Sequence, residues 1–167
     1  IAANKHDVEI EQLTIEVDEI QSEDPKVILE HKARSIYEKV KRPLIVTDDS
    51  WNIPALGGFP GPYMKSVNHW LSPDDWINLM RGHTDKRIFL ERRLAFIDGV
   101  DITTFDDVIE RKFLPRVSEK DGVSILRVIS MPEDDTPINE VIAENPDKLE
   151  AGESAWSKFF KWHKETA

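Results

Sequence analysis

IVTDDSWNIPALGGFPGPYMK, residues 45–65, passes from a strand signal into a loop that no regular element could hold. The strand signal is PLIVTD (43–48), a short apolar run behind a proline that suits a central strand. It ends in two adjacent acids, Asp48 and Asp49. In ALGGFPGPY (55–63), Gly57, Gly58, Pro60 and Gly61 are followed by Pro62, too dense a punctuation for helix or strand. The glycines permit backbone conformations and close approaches that side chains forbid, and the prolines stiffen the connection. Nine residues of this composition exceed what a simple turn requires. Open α/β sheets place ligands at the carboxyl ends of their strands, so acids delivered beside a rigid, side-chain-poor loop mark a candidate site.

Towards the N-terminus, VEIEQLTIEV (8–17) alternates Val8, Ile10, Leu13, Ile15 and Val17, predicting a half-buried strand with a slip near Glu11. SEDP (22–25) offers a helix start with Ser22 as N-cap. The helix then runs to about Lys41 and buries Leu29, Ala33, Ile36, Tyr37 and Val40 at three- and four-residue spacing. Towards the C-terminus, Ser72-Pro73-Asp74-Asp75 reads as an N-cap, a first-position proline and acids at the positive helix end, opening a short helix through Met80. RIFLERRLAFI (87–97), Asp98-Gly99 and VDITTF (100–105) predict a hairpin, with positive φ at both turn residues. VSILRVIS (123–130) reads as a further strand. From about Asp147 the chain places Leu149, Trp156, Phe159, Phe160 and His163 on one stripe of a closing helix packed on the sheet. Strands interleaved with helices, with an antiparallel hairpin among them, predict a mixed α/β (α+β) fold with a central twisted mixed sheet flanked by helices.

The 167 residues, 40% of them hydrophobic, suffice for one continuous core, and residues 1–167 read as a single domain. No run of 18 apolar residues occurs, so a soluble protein with no membrane partner is expected. The opening IAANKHDVEIEQ has neither the basic nor the apolar region of a secretory signal. Cysteine is absent, which excludes disulfides and thiolate chemistry and fits a cytoplasmic location. A formal charge of −10 argues against nucleic-acid polymers as partners. A small polyanion is admissible where lysines or a divalent ion offset the global sign.

Three sets of residues could carry chemistry. Glu19, Asp48 and Asp49 are acids at turns and strand ends that could hold a hard cation, with Mg²⁺ the expectation, although most acids of so acidic a chain only solvate a surface. Lys32 leaves its helix close to the apolar stripe, and Lys65 directly follows the glycine-proline loop. Either could snorkel to solvent or meet phosphate oxygens as a point charge. The loop itself, through Gly57 and Gly58, could admit a ligand to close contact with backbone. The five histidines show no metal-ligand spacing.

On these residues the chain resembles the inosine-triphosphate pyrophosphatase family. IVTDDSWNIPALGGFPGPYMK (45–65) is similar to its central signature, a strand ending in aspartate followed by an ALxGxPGxY(x)K loop. VDEIQSEDPKVILEHKARSIYEKVKRP (17–43) is similar to its E-x-Q turn and lysine-bearing helix, and NKHDVE (4–9) to the start of its N-terminal phosphate motif. The resemblance implies that fold and a "house-cleaning" hydrolysis of nucleoside triphosphates, non-standard purines among them, to monophosphate and pyrophosphate. It implies Mg²⁺ held by Glu19 and Asp48, and Asp48 as catalytic acid with Asp49 as the alternative. Substrate contacts would come from Asn4, Lys32, Lys65, Gly57 and Gly58. A homodimer is implied as well, with MKSVNHWLSPDDWINLM (64–80) contributing to its interface. The chain departs from the family at Asp7, where a lysine is usual, and at Trp51, where a smaller residue is. It lacks the Phe-Gly-Trp-Asp base-reading segment, nearest to which stands SILRVIS (124–130), and the Ser-His-Arg near the C-terminus, where Ser154-Ala155-Trp156 stands. An unread base edge weakens discrimination. Two further readings therefore stay open: a catalytically weak relative that binds nucleotide, and a protein-interaction module using the aromatic tail.

Overall fold

A computed structural model describes residues 8–18, 20–149 and 152–166. Five α-helices and five strands occur among them: α1 (Pro25–Val40), β1 (Leu44–Asn52), β2 (Pro60–Gly61), α2 (Met64–Trp70), α3 (Pro73–Leu79), β3 (Arg87–Ile97), β4 (Ile102–Phe113), β5 (Ile129–Ser130), α4 (Ile138–Glu144) and α5 (Ala155–Thr166). The strands form one sheet in the order β2-β1-β3-β4-β5. The mixed α+β class read from the sequence is the one observed, with an antiparallel sheet. No described helix is long and apolar enough to cross a membrane.

The chain forms two compact units. Unit 1 comprises residues 1–48, 92–107 and 153–167; unit 2 comprises 49–91 and 108–152. In unit 1, Leu29 and Ala33 of α1 pack on Val46, Ala95 and Ile97 of the sheet. On the opposite sheet face, Phe159 and Phe160 of α5 pack against Leu94, Phe96 and Phe105. Strand alternation makes this possible, since Val46 faces α1 while its neighbour Ile45 faces α5. Each buried phenylalanine stabilises by roughly 1.5–3 kcal/mol. In unit 2 the core gathers around Trp76, fully buried and flanked by Phe59 and Phe113 at ring distances of 6.3 and 6.1 Å.

Local differences from the sequence reading have identifiable causes. Residues 8–17 form no strand; Ile10 and Leu13 are exposed, and the segment is tied instead by Arg42 to Glu11 and by Lys39 to the Glu16 carbonyl. The N-cap of α1 is Asp24, which accepts from the Lys26 amide, while Ser22 accepts from the Asp24 amide. Proline at the first helical position carries the boundary two residues further on. Strand β1 does not stop at the aspartates but continues through Asn52. The hairpin forms, but over a longer loop in which Asp98 has no positive φ. In place of a strand over 123–130, Ser124–Arg127 is a 3-10 turn before the two-residue β5. There the Ile125 amide donates to Asn68 Oδ1, so a tertiary bond takes a group that a ladder needs, and the Ser124 hydroxyl donates to the Leu71 carbonyl. Two helices agree better: α3 opens with a complete Ser72–Asp75 capping box, and α5 presents its aromatic stripe to the core, although it begins at Ala155 and not near Asp147, Leu149 lying instead in a 3-10 turn packed on the Trp76 cluster.

Candidate active site

Lys32 lies on α1 beside the buried Leu29 and Ala33, so its stem is drawn along the apolar face and its ammonium emerges at the sheet. There Nζ stands 3.7 Å from Asp48 Oδ1 and donates to the Thr47 carbonyl at 3.5 Å. The side chains are 26% and 23% exposed, so the pair is partly desolvated but still reachable. At that length and exposure it contributes at most about 1 kcal/mol to folding. A lysine held at these distances can turn to another anion.

The pleat separates the two candidate acids. Val46, Asp48, Ser50 and Asn52 share one face of β1 and Ile45, Thr47, Asp49 and Trp51 the other. Because Val46 packs with α1, Asp48 is on the side of Lys32, and Asp49, exposed, is on the side that faces away. The structure thus brings Asp48 and Lys32 together in unit 1. The acids stand within the strand, not at its carboxyl end as the sequence had indicated.

Asn4 and Glu19 lie outside the described residues. Gly57 and Gly58 of unit 2 have φ of 65° and 95°, closing the turn after Pro54–Leu56 with their amides donating to the Pro54 and Ile53 carbonyls. A Cβ on either would meet nothing within 4 Å. These glycines serve backbone conformation, and the close approach read from the sequence finds no counterpart in the chain's own packing. Lys65, exposed at the start of α2 in unit 2, lines an open groove. Of residues 64–80, Met64, Val67, Trp76 and Met80 belong to the core of unit 2, while Trp70 is 72% exposed.

Among the described residues no three carboxylates or imidazoles come together as a metal cage. Asp48, reachable beside Lys32, still offers one carboxylate of the one or two by which Mg²⁺ is commonly held, with substrate phosphates and water completing its shell.

Some polar residues escaped sequence reasoning. Glu91 of β3 accepts from the Ser50 hydroxyl at 3.2 Å and from Asn52 Nδ2 at 3.5 Å, and only the strand register reveals it. Asp107 is buried in a two-bond pair with Arg92 and also accepts from the Ala155 amide at the start of α5.

Comparison with known proteins accords with this architecture. A model of the Ham1 family matches residues 1–157. A dITP/XTP pyrophosphatase of Saccharolobus solfataricus is 34% identical over 108 residues, 65% of this chain and 56% of that protein. A dITP/XTP pyrophosphatase of Methanopyrus kandleri is 24% identical over 161 residues, covering 96% and 86%. Inosine triphosphate pyrophosphatase 2 of Trypanosoma cruzi is 34% identical over 93 residues, covering 56% and 47%. The chain thus spans about half the length of the first and third of these relatives. Among solved structures, the Ham1 protein of Staphylococcus aureus superposes with a TM-score of 0.76 at 14% identity, over 92% of this chain and 82% of that one. A HAM1 protein of Coxiella burnetii gives 0.74 at 14% identity, over 90% and 81%. A family model covering nearly the whole chain, and a fold shared with two solved Ham1 proteins, show that this protein belongs to the Ham1 family, the inosine-triphosphate pyrophosphatase group that its central signature resembles.

Proposed function

We propose that the chain is a Mg²⁺-dependent nucleoside triphosphate pyrophosphohydrolase that converts a triphosphate, non-standard purines included, to the monophosphate and pyrophosphate. The observation that carries this reading is the partly desolvated pair of Lys32 and Asp48, set on the elements that hold the family signature. It is supported by relatives named dITP/XTP and inosine triphosphate pyrophosphatases. In hydrolysis the α–β phosphoanhydride breaks, water supplies the new oxygen, and its proton must pass to a base while charge gathers on the departing pyrophosphate. Asp48 orients the water and takes that proton; Lys32, released from Asp48, offsets the charge on the phosphates. Mg²⁺, held by Asp48 and Glu19, would supply further charge neutralisation. The same proposal assigns substrate contacts to Asn4, Gly57, Gly58 and Lys65, keeps Asp49 as the alternative catalytic acid, and places the protein in the cytoplasm as a homodimer whose interface includes the exposed Trp70.

The test is pyrophosphate release across standard, deoxy and deaminated purine triphosphates, with magnesium and with chelator. Release from at least one triphosphate, abolished by chelation, is expected. A second reading, nucleotide binding without turnover, is favoured by Asp7 and by the SILRVIS segment that stands where a base reader is usual. It prevails where a triphosphate raises the melting temperature and none is hydrolysed.

A further inference from the structure

Two arginines tie parts of this chain together at bond length. Arg92 meets the two carboxylate oxygens of Asp107 at 2.8 and 3.0 Å, and Arg127 donates to the Ser118 carbonyl at 3.2 and 2.7 Å. Lys32 does not: its Nζ stands 3.7 Å from Asp48 Oδ1 and 3.5 Å from the Thr47 carbonyl, beyond the 2.7–2.9 Å or so of a charged hydrogen bond. What brings the ammonium there is its helix. Leu29, one turn before it, is fully buried, and Ile36, one turn after, packs on the same core, so the lysine stem follows the apolar face and delivers its charge to β1.

The two oxygens beside that ammonium, one of a carboxylate and one of a backbone carbonyl, are of the classes that a hard divalent cation takes. Lys32 thus stands where such an ion would stand. With Asp48 only 23% exposed, an ammonium and a divalent ion are too poorly screened to share the corner. The chain as a whole attracts cations, since it carries a formal charge of −10. A carboxylate left bare in that field collects free divalent ions; one with a lysine beside it does not.

We propose that Lys32 is a built-in counter-ion of Asp48 that keeps free divalent cations off this carboxylate until an anionic ligand draws the ammonium away. This rests on Asp48 being the metal ligand of the proposed function, and it makes entry of the cation conditional on entry of the anion.

Binding of Mn²⁺, which takes the oxygen ligands of Mg²⁺, to the full chain without nucleotide tests it, with the free ion followed by electron paramagnetic resonance. Lys32→Gln is expected to bind the ion at least about fivefold tighter than the native chain, the scale of a broken pair of this exposure. Lys32→Met, apolar and of similar length, repeats the measurement where glutamine unsettles α1. Lys32→Arg, which keeps the charge, should bind no tighter than the native chain. Lys26→Gln, which removes a charge from the same helix where Lys26 pairs with Glu30 at the surface, should change the affinity less than twofold. Adding Asp48→Asn to Lys32→Gln should abolish the gain. Binding no tighter than native in both Lys32→Gln and Lys32→Met, a gain as large in Lys26→Gln or Lys32→Arg, or a gain that survives Asp48→Asn overturns the proposal. Triphosphate hydrolysis with no gain in Lys32→Gln refutes the counter-ion and leaves the pyrophosphohydrolase reading standing; the gain without hydrolysis does the reverse.

Discussion

The two units differ in how they hold the cations singled out above and in the skeletons that carry them. In unit 1, Lys32 faces Asp48 and Arg92 faces Asp107; in unit 2, Arg127 is held by the Ser118 carbonyl, with the exposed Asp121 3.9 Å away, and Lys65 by no described residue. Their skeletons differ as well. Unit 1 rests on two long helices, α1 of 16 residues and α5 of 12, packed on the sheet, whereas the helices of unit 2 are each 7 residues long. Helices that short do not hold in water alone, so unit 2 depends on the α3 capping box and on the core cluster around Trp76. A unit covered by long helices carries much of its own scaffold, while one built of short helices rests on tertiary contacts.

This contrast can be broken or sharpened by substitution. The largest effect is expected in unit 1: Phe159→Ala, emptying the centre of the aromatic cluster, should cost about 3–5 kcal/mol in denaturant unfolding. Its counterpart Trp76→Phe should cost less than about 1.5 kcal/mol, because the lost contact is partly offset by removing an indole nitrogen that is buried with no hydrogen-bond partner among the described residues. Equal losses would erase the distinction. Asp107→Asn should cost about 2 kcal/mol by unbalancing Arg92 and weakening the hold on the Ala155 amide, and should raise hydrogen exchange at the start of α5. Ser72→Ala, removing one arm of the α3 capping box, should cost about 1 kcal/mol.

The smallest effect concerns acid. In unit 2 the side-chain hydrogen bond from Arg87 holds Asp85 below its ordinary 3.8, at about 2, and the Ser72 hydroxyl lowers Asp75. A carboxyl depressed by folding stabilises above its unfolded pKa and ceases to as pH falls through the folded value. A thermal series should therefore show this small contribution fading between pH 3.8 and 2, and Arg87→Gln should flatten that part of the curve.

The sequence was most informative where local chemistry sufficed. Pro25, Ser72 with Asp75, the apolar spacing of α1 and the aromatic stripe of α5 each act within a few residues, and each structure formed nearly as read. Segments whose state depends on remote partners were not legible. VEIEQLTIEV alternates like a strand but obtains no neighbouring strand, and in VSILRVIS the Ile125 amide goes to Asn68 and the Ser124 hydroxyl to the Leu71 carbonyl, more than fifty positions away. The site shows the same division. Lys32 and Asp48 were singled out because one helix and one strand carry them, while the strand face that each of Asp48 and Asp49 takes emerged only once the α1-facing side of β1 was known. Glu91 and Arg127 gave no local signal, since their partners are set by strand register and by tertiary contact.

Under the proposed function one acid, Asp48 on the Lys32 side of β1, performs the hydrolysis. Pyrophosphate release from a deaminated purine triphosphate with Mg²⁺, compared for Asp48→Asn and Asp49→Asn, tests it most directly. Asp48→Asn should lower turnover by roughly a hundredfold or more, the scale of losing a positioned general base, with the fold intact, and Asp49→Asn by less than about threefold. Losses of equal size, or the larger loss at Asp49, would contradict it.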